Sequence, residues 1–218
     1  MTEGEWLAAT DPTPMLKFLR GKASDRKLRL FAVACCNCAW PLLDDPSSRS
    51  AIEIASRYAD GNADQNELRA AFQTVDGFMP DTVLNIQRQI AHAICSEPPF
   101  VIGAAYDIDK LVARQYDAER RHHREKAGTI PTPRFTTLLR DVAGNPFRPV
   151  AVDPSWLTST VTALVSLMYD SRDFSPMPIL ADALQDAGCD NDDILNHCRQ
   201  PGEHVRGCWV VDLVFGKS

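Results

Sequence analysis

The chain has 218 residues, of which 44% are hydrophobic and 24% charged, and its formal net charge is −6. This balance is typical of a globular protein and excludes a disordered or fibrous chain. The apolar runs are far shorter than the ~20 residues of a membrane-spanning helix, and the acidic start, Met1-Thr2-Glu3-Gly4-Glu5, does not resemble a secretory signal. We therefore expect a cytoplasmic protein with no membrane partner, and the negative charge disfavours nucleic acid as a partner.

Apolar residues three and four positions apart predict helices through the first 127 residues. Thr2 and Glu5 have the spacing of a capping box, Thr13-Pro14 predicts a second helix start, and Ser24 precedes a third helix. This third helix carries a broad apolar stripe, which predicts a central place in the fold. The stripe and its flanks consist of Leu28, Phe31, Ala32, Cys35, Cys38, Ala39 and Leu42 with Val33, Cys36 and Trp40.

The next elements form a predicted helical hairpin that starts at Asp45-Pro46 and turns at Asp60-Gly61-Asn62. Further helices are predicted from Pro80 to about residue 97 and from Val101 to about residue 126. The second of these ends in a basic patch, which could bind nucleic acid weakly but is better explained as a solvated helix end. Its residues are Arg120, Arg121, His122, His123, Arg124 and Lys126.

Residues 128–156 contain five prolines and enclose one amphipathic segment, residues 135–139. We therefore predict a helical N-terminal part (1–127), a proline-rich connecting segment (128–156) and a helical C-terminal part (157–218), together in one compact domain. Helix starts are predicted at Asp153-Pro154, Pro178 and Asp190-Asn191, and a last helix from about His204 to Phe215. Only residues 149–152 are compatible with a short extended piece. The expected fold class is all-α, a multi-helix orthogonal or bundle-like arrangement of amphipathic helices.

Three stretches carry a resemblance to a family of proteins abundant in planctomycete bacteria. They are EWLAATDPTPMLKFLRGKASDRKLRLFAVACC, GNPFRPVAVDPSW and LADALQDAGCDNDDILNHCRQPGEHVRGCWVVDLVFGK. The resemblance spans most of the chain and implies a bacterial, cytoplasmic setting, but it brings no activity, cofactor or catalytic residue. Members of the family tend to have a basic pair after the double cysteine, where this chain has Asn37-Cys38. We therefore place no shared function there.

The seven cysteines are an odd number in a chain without a secretory signal, which argues against a disulfide framework. Cys35-Cys36-Asn37-Cys38 contains a Cys-x-x-Cys spacing, but inside a predicted helix, where no helix dipole activates the first thiol. A weak set of metal ligands is C-terminal, with His204 and Cys208 on one face of the last predicted helix. The set lacks the close ligand pairs of zinc motifs, so we predict no metal and no cofactor. Its members are Cys189, His197, Cys198, His204 and Cys208.

No catalytic motif is recognisable, so catalytic residues stay unassigned and an enzyme is disfavoured without being excluded. By elimination we expect a helical protein-interaction or scaffolding module with a protein partner of unknown identity. The alternative is an enzyme whose site gathers dispersed residues such as Asp153, Asp182, His197 and His204. Arginine and tryptophan are frequent in binding hot spots, and the candidate binding residues are Asn145, Phe147, Arg148, His204, Arg206 and Trp209.

Overall fold

The computed structural model describes residues 1–38, 40, 45–77 and 135–217 of the chain. Within these ranges all regular structure is helical and no strand is present, so the all-α prediction is confirmed and residues 149–152 form no strand. None of the helices in the described ranges is long and apolar enough to cross a bilayer. The helices predicted between Pro80 and residue 126, including the basic patch, lie outside the described residues.

By its internal contacts the chain divides into two compact units, Met1–Thr137 and Leu138–Ser218. The three-part division at residues 127 and 156 remains a prediction. The described helices of the first unit are α1 (Glu3–Ala8), α2 (Pro12–Leu19), α3 (Asp25–Cys38), α4 (Pro46–Ala59) and α5 (Gln65–Gly77).

Local capping explains where the first helices begin. The predicted capping box of α1 is confirmed, because Thr2 Oγ1 accepts from the Glu5 N–H and the Glu5 carboxylate accepts from the Thr2 N–H. Helix α2 begins earlier than predicted. Asp11, and not Thr13, is its N-cap, and Pro12 takes the first helical position.

The core of the first unit is built around α3. The stripe residues from Leu28 to Cys36 are buried. Helix α3 packs on α4, and α4 packs on α5 to form the predicted hairpin. The hairpin turns at Gly61, whose φ of +74° suits glycine. The buried positions of Cys35 and Cys36 agree with the packing role expected from their helical placement.

The second unit contains the residues of α6 from Leu138 onward and four further α-helices. The elements are α6 (Phe135–Ala143), a 3₁₀ turn (Pro154–Trp156), α7 (Ser159–Ser171), α8 (Met177–Asp186), α9 (Asp192–Arg199) and α10 (Trp209–Phe215). Helix α7 packs on α8 and α10, and α9 packs on the same two helices. One apolar core lies between them, and its members include Tyr169, Phe174, Met168 and Met177.

Two predicted helix starts in this unit are wrong. Asp153 caps only the 3₁₀ turn, and α7 begins after Thr158, whose Oγ1 accepts from the Val161 N–H. The last helix begins at Trp209 rather than near His204. Gly207 has a φ of +94°, which a right-handed helix cannot contain, so residues 204–208 form a loop.

Gly144 offers a test of how tightly this unit is packed. It follows α6 with a φ of +67°, and a Cβ added there would lie 3.0 Å from Trp209 Cγ. We expect Gly144→Ala to lower the free energy of unfolding by roughly 2 to 4 kcal/mol in urea titrations, from left-handed strain plus overpacking. The matched control is Gly216→Ala, which has a φ of +66° but open space around its Cβ and should cost only about 1 kcal/mol. Equal losses of stability in the two variants would mean that the Trp209 side chain moves away from the added Cβ without cost.

Candidate metal centre

Four polar side chains of the second unit meet at one point. They are Asp141 from α6, His197 from α9, and His204 and Cys208 from the loop that precedes α10. Each offers one ligand atom, and all four atoms lie within 4.8 Å of one another. The side chains are almost entirely withdrawn from solvent, with 4%, 9% and 6% exposure for Asp141, His197 and His204. Cys208 is fully buried.

Helix periodicity explains how the first two residues reach this point. Asp141 lies three positions after Leu138 on α6 and next to buried Val142. The helix face that packs its leucines into the core therefore also places the Asp141 carboxylate in the interior. His197 lies three positions after Ile194, which is buried on α9. Both polar groups therefore occupy positions that an amphipathic helix normally gives to apolar residues.

The loop of residues 200–208 brings in the other two ligands. The Val205 N–H donates to Asp141 Oδ2 at 2.9 Å, which ties the loop to α6. The Cys208 N–H donates to the Val205 carbonyl at 2.9 Å and closes a turn. The predicted helical face shared by His204 and Cys208 is thus wrong, because a turn places their ligand atoms near each other at 3.9 Å.

The distances between ligand atoms suit a small tetrahedral cation. Asp141 Oδ1 lies 3.1 Å from His197 Nε2 and 2.6 Å from His204 Nδ1. Cys208 Sγ lies 3.2 Å from His197 Nε2 and 3.9 Å from His204 Nδ1. Zinc bonds of about 2.0 to 2.3 Å put neighbouring ligand atoms of a tetrahedron roughly 3.3 to 3.6 Å apart. Three of the four contacts are shorter than that range and one is longer, each by less than 1 Å, so sub-ångström adjustments would let an ion fit.

The same contacts do not suit a cysteine-histidine-aspartate proton relay. In such a relay the nucleophile and the carboxylate contact opposite nitrogens of one imidazole, so that the ring passes a proton between them. Here Asp141 and Cys208 both approach Nε2 of His197. They also share Nδ1 of His204. The four groups converge on a centre instead of standing in series.

The cluster combines a buried carboxylate with a thiol whose pKa is raised by burial. Burial alone would raise the pKa of Asp141, but hydrogen bonds and charge interactions with His197 and His204 outweigh it and hold that pKa below its ordinary value. A carboxylate therefore persists in the interior. Burial, together with the Asp141 charge, raises the pKa of the Cys208 thiol well above its ordinary value. A bound divalent ion reverses this balance and favours the thiolate.

Further groups surround the four ligands. The Trp209 ring lies 5.2 Å from the His197 ring, and the two histidine rings meet edge to face at 4.9 Å. The side-chain amide nitrogen, Nε2, of Gln200 lies 3.1 Å from His197 Nδ1, on the side of the ring that faces away from the cluster. His204 Nε2 is buried and has no hydrogen-bond partner within the described part of the chain.

The structure gathers three of the five residues named as weak metal-ligand candidates, although no metal was predicted. Cys189 and Cys198 are buried but do not belong to the cluster, and burial raises the pKa of Cys198 to about 12, as expected of a packing thiol. Asp141 was missed by the sequence analysis because it lies 56 residues before His197, and no short spacing connects them. Its one sequence signal is a carboxylate among the inward-facing apolar residues of α6.

The predicted binding residues have mostly internal roles. His204 belongs to the cluster, and the Trp209 ring lies against the ring of His197, another member of the cluster. The Arg206 guanidinium lies over the Tyr169 ring at 4.5 Å. Asn145 Oδ1 accepts from the Phe147 N–H within a turn. Arg148 is exposed and lies 3.8 Å from Asp193.

The predicted enzyme set does not converge. Asp153 caps the 3₁₀ turn, and Asp182 pairs with Arg199 on the surface at 3.0 Å. Only the two histidines of that set come together, and both face the Asp141 carboxylate.

Fold and cluster together define the class: an all-α protein whose second unit holds a buried Asp-His-His-Cys ligand set. No family model matches the chain, and neither a curated protein nor a solved structure is significantly similar to it. Functional inference therefore depends on the geometry of the cluster.

Proposed function

We propose that the chain is a helical module whose second unit is stabilised by a structural Zn²⁺ ion held by Asp141, His197, His204 and Cys208. One observation carries this proposal: four ligand atoms from separate parts of the unit meet within 4.8 Å in a buried place. The proposal departs from the prediction of no metal, which rested on the absence of close ligand pairs in the sequence.

The donor set is what selects zinc. Zinc accepts mixed nitrogen, sulfur and oxygen ligands and prefers four of them in a tetrahedron. Calcium and magnesium require more ligands, nearly all oxygen. A set of one thiolate, two imidazoles and one carboxylate therefore disfavours both of these ions.

Four protein ligands point to a structural ion. Catalytic zinc usually keeps three protein ligands and leaves the fourth position to water or substrate. Here the fourth position belongs to the chain itself, and the ligands are buried. The ion would connect α6 to α9 and to the adjoining loop of residues 200–208, and α6 lies far from both of these in the sequence.

A closed metal centre supports the predicted interaction or scaffolding role more than the enzyme alternative. The ion would rigidify a loop and leave no coordination position for a substrate. We therefore keep an unidentified protein partner and a cytoplasmic location as parts of the proposal. The second alternative, weak nucleic-acid binding through the basic helix end, concerns residues outside the described ranges and stays a prediction.

The test is metal analysis of the purified full-length chain. We expect one zinc ion per chain after gel filtration, and a chelated sample should take up one equivalent of Co²⁺. The cobalt form should show the strong visible bands of a tetrahedral site and a near-ultraviolet thiolate-to-cobalt charge-transfer band. Excess Mg²⁺ or Ca²⁺ should not displace the ion. Protein that carries no zinc and gives no cobalt bands would leave the cluster as a hydrogen-bonded network and overturn the proposal.

A further inference from the structure

We propose that Gln200 is a positioning residue of this centre: with its amide group turned by about 180°, its side-chain oxygen accepts a hydrogen bond from His197 Nδ1–H and holds the ring with Nε2 on the ion. The inference rests on the proposed zinc binding. It adds that the two histidines bind through opposite ring nitrogens, with only His197 supported by a side chain behind it.

The atoms at His197 define the role of Gln200. Nε2 of His197 faces Asp141 and Cys208, whereas Nδ1 lies 3.1 Å from the side-chain amide nitrogen, Nε2, of Gln200. A neutral imidazole carries a single N–H, so a ring that gives Nε2 to a metal holds its proton on Nδ1. That proton needs an acceptor, and the amide oxygen of Gln200 becomes one after a half-turn of the nearly symmetric amide group.

The backbone keeps Gln200 within reach. It is the residue that ends α9, and its N–H donates to the Asn196 carbonyl at 2.9 Å. Gln200 follows His197 by three positions, so both side chains leave the same side of the last helical turn. The amide thus approaches the ring from behind without displacing any of the four ligands.

His204 has the opposite arrangement. It faces the cluster with Nδ1, and its Nε2 is buried with no hydrogen-bond partner among the described residues. Metal-binding histidines usually donate their second N–H to a carboxylate, carbonyl or water, and loss of such a partner costs 10- to 100-fold in metal affinity. Among the side chains described here, Gln200 is the group that can supply this support to His197.

The test compares two replacements of Gln200. Gln200→Met keeps the length of the side chain but removes the acceptor, and its zinc affinity should fall 10- to 100-fold in competition with a chelator. The stoichiometry and the cobalt spectrum should stay those of the wild type, because all four ligands remain. Gln200→Glu restores an acceptor and should bind zinc at least as tightly as the wild type.

A matched control is Gln185→Met, which alters a surface amide that contacts Arg199 and no ligand. It should bind zinc with wild-type affinity. Nitrogen-15 NMR of the zinc-bound wild type should find the proton on Nδ1 of His197 and on Nε2 of His204. Undiminished affinity in Gln200→Met, no rescue in Gln200→Glu, or a proton on Nε2 of His197 would each overturn the role of Gln200. Wild-type protein that binds no zinc would instead overturn the proposed function.

Discussion

Asp141→Asn should abolish stable zinc binding and should lower the free energy of unfolding of the chelated, metal-free protein by about 3 to 5 kcal/mol, the usual cost of removing one partner from a buried charged pair. Within the described ranges, Asp141 is the charged group that contacts both histidines and the loop. Its Oδ1 lies 3.1 Å from His197 Nε2 and 2.6 Å from His204 Nδ1, while its Oδ2 accepts from the Val205 N–H. Asparagine has neither the charge nor two acceptor oxygens.

The loss of stability has two parts, which are separated by comparing chelated with zinc-bound protein. Unfolding of chelated wild type and chelated Asp141→Asn in urea measures what the carboxylate contributes to the hydrogen-bonded network. Zinc at one hundred times its dissociation constant should add about 2.7 kcal/mol to the wild type, and almost nothing to the variant. Asp182→Asn is the control, because Asp182 forms only an exposed pair with Arg199 and should stay within about 0.5 kcal/mol of wild type. Wild-type zinc affinity in Asp141→Asn would exclude the carboxylate as a ligand.

Much of the fold could be predicted because helix starts are local. The Thr2 and Glu5 capping box and the Asn191 cap of α9 each involve residues three positions apart, and both formed as expected. Errors arose where two caps compete. Asp11 and Thr13 both precede a proline in the same short segment, and the sequence does not say which residue caps the helix.

The start of α10 shows a different limit. Residues 204–208 have helix-compatible apolar spacing, yet Gly207 takes a positive φ and the loop is tied to Asp141 through the Val205 N–H. That hydrogen bond joins residues 64 positions apart. A tertiary contact of this range overrides local preference and cannot be read from spacing.

For the same reason, the sequence indicated three of the four ligands of the candidate site but not the fourth. His197, His204 and Cys208 attracted attention because they are metal-ligand types close together in the chain. Asp141 did not, since only the packing of α6 brings it to them. Asp141 lies beside Leu138 and Val142, which are buried. A carboxylate in such a position needs a positively charged or hydrogen-bonding partner, and this was the signal that could have pointed to the site.

Cys208→Ser and Cys198→Ser should behave differently, although the two thiols are equally buried. Both are fully excluded from solvent, and burial raises the pKa of each. Both replacements bury a hydroxyl, at a cost of about 1 to 3 kcal/mol that is common to the pair. Only Cys208 Sγ belongs to the cluster, 3.2 Å from His197 Nε2. The metal-dependent part of the effect therefore belongs to Cys208.

We expect Cys208→Ser to lose the thiolate-to-cobalt band and to bind zinc at least 100-fold more weakly. The loss of a direct ligand should lower zinc affinity more than the loss of a hydrogen-bond partner behind a ligand. Cys198→Ser should keep the spectrum and the affinity of the wild type. Cobalt titration followed by chelator competition measures both quantities on the same samples. Since the shared packing cost cancels between the variants, a band that survives in Cys208→Ser, or disappears in Cys198→Ser, would show that a different cysteine holds the ion.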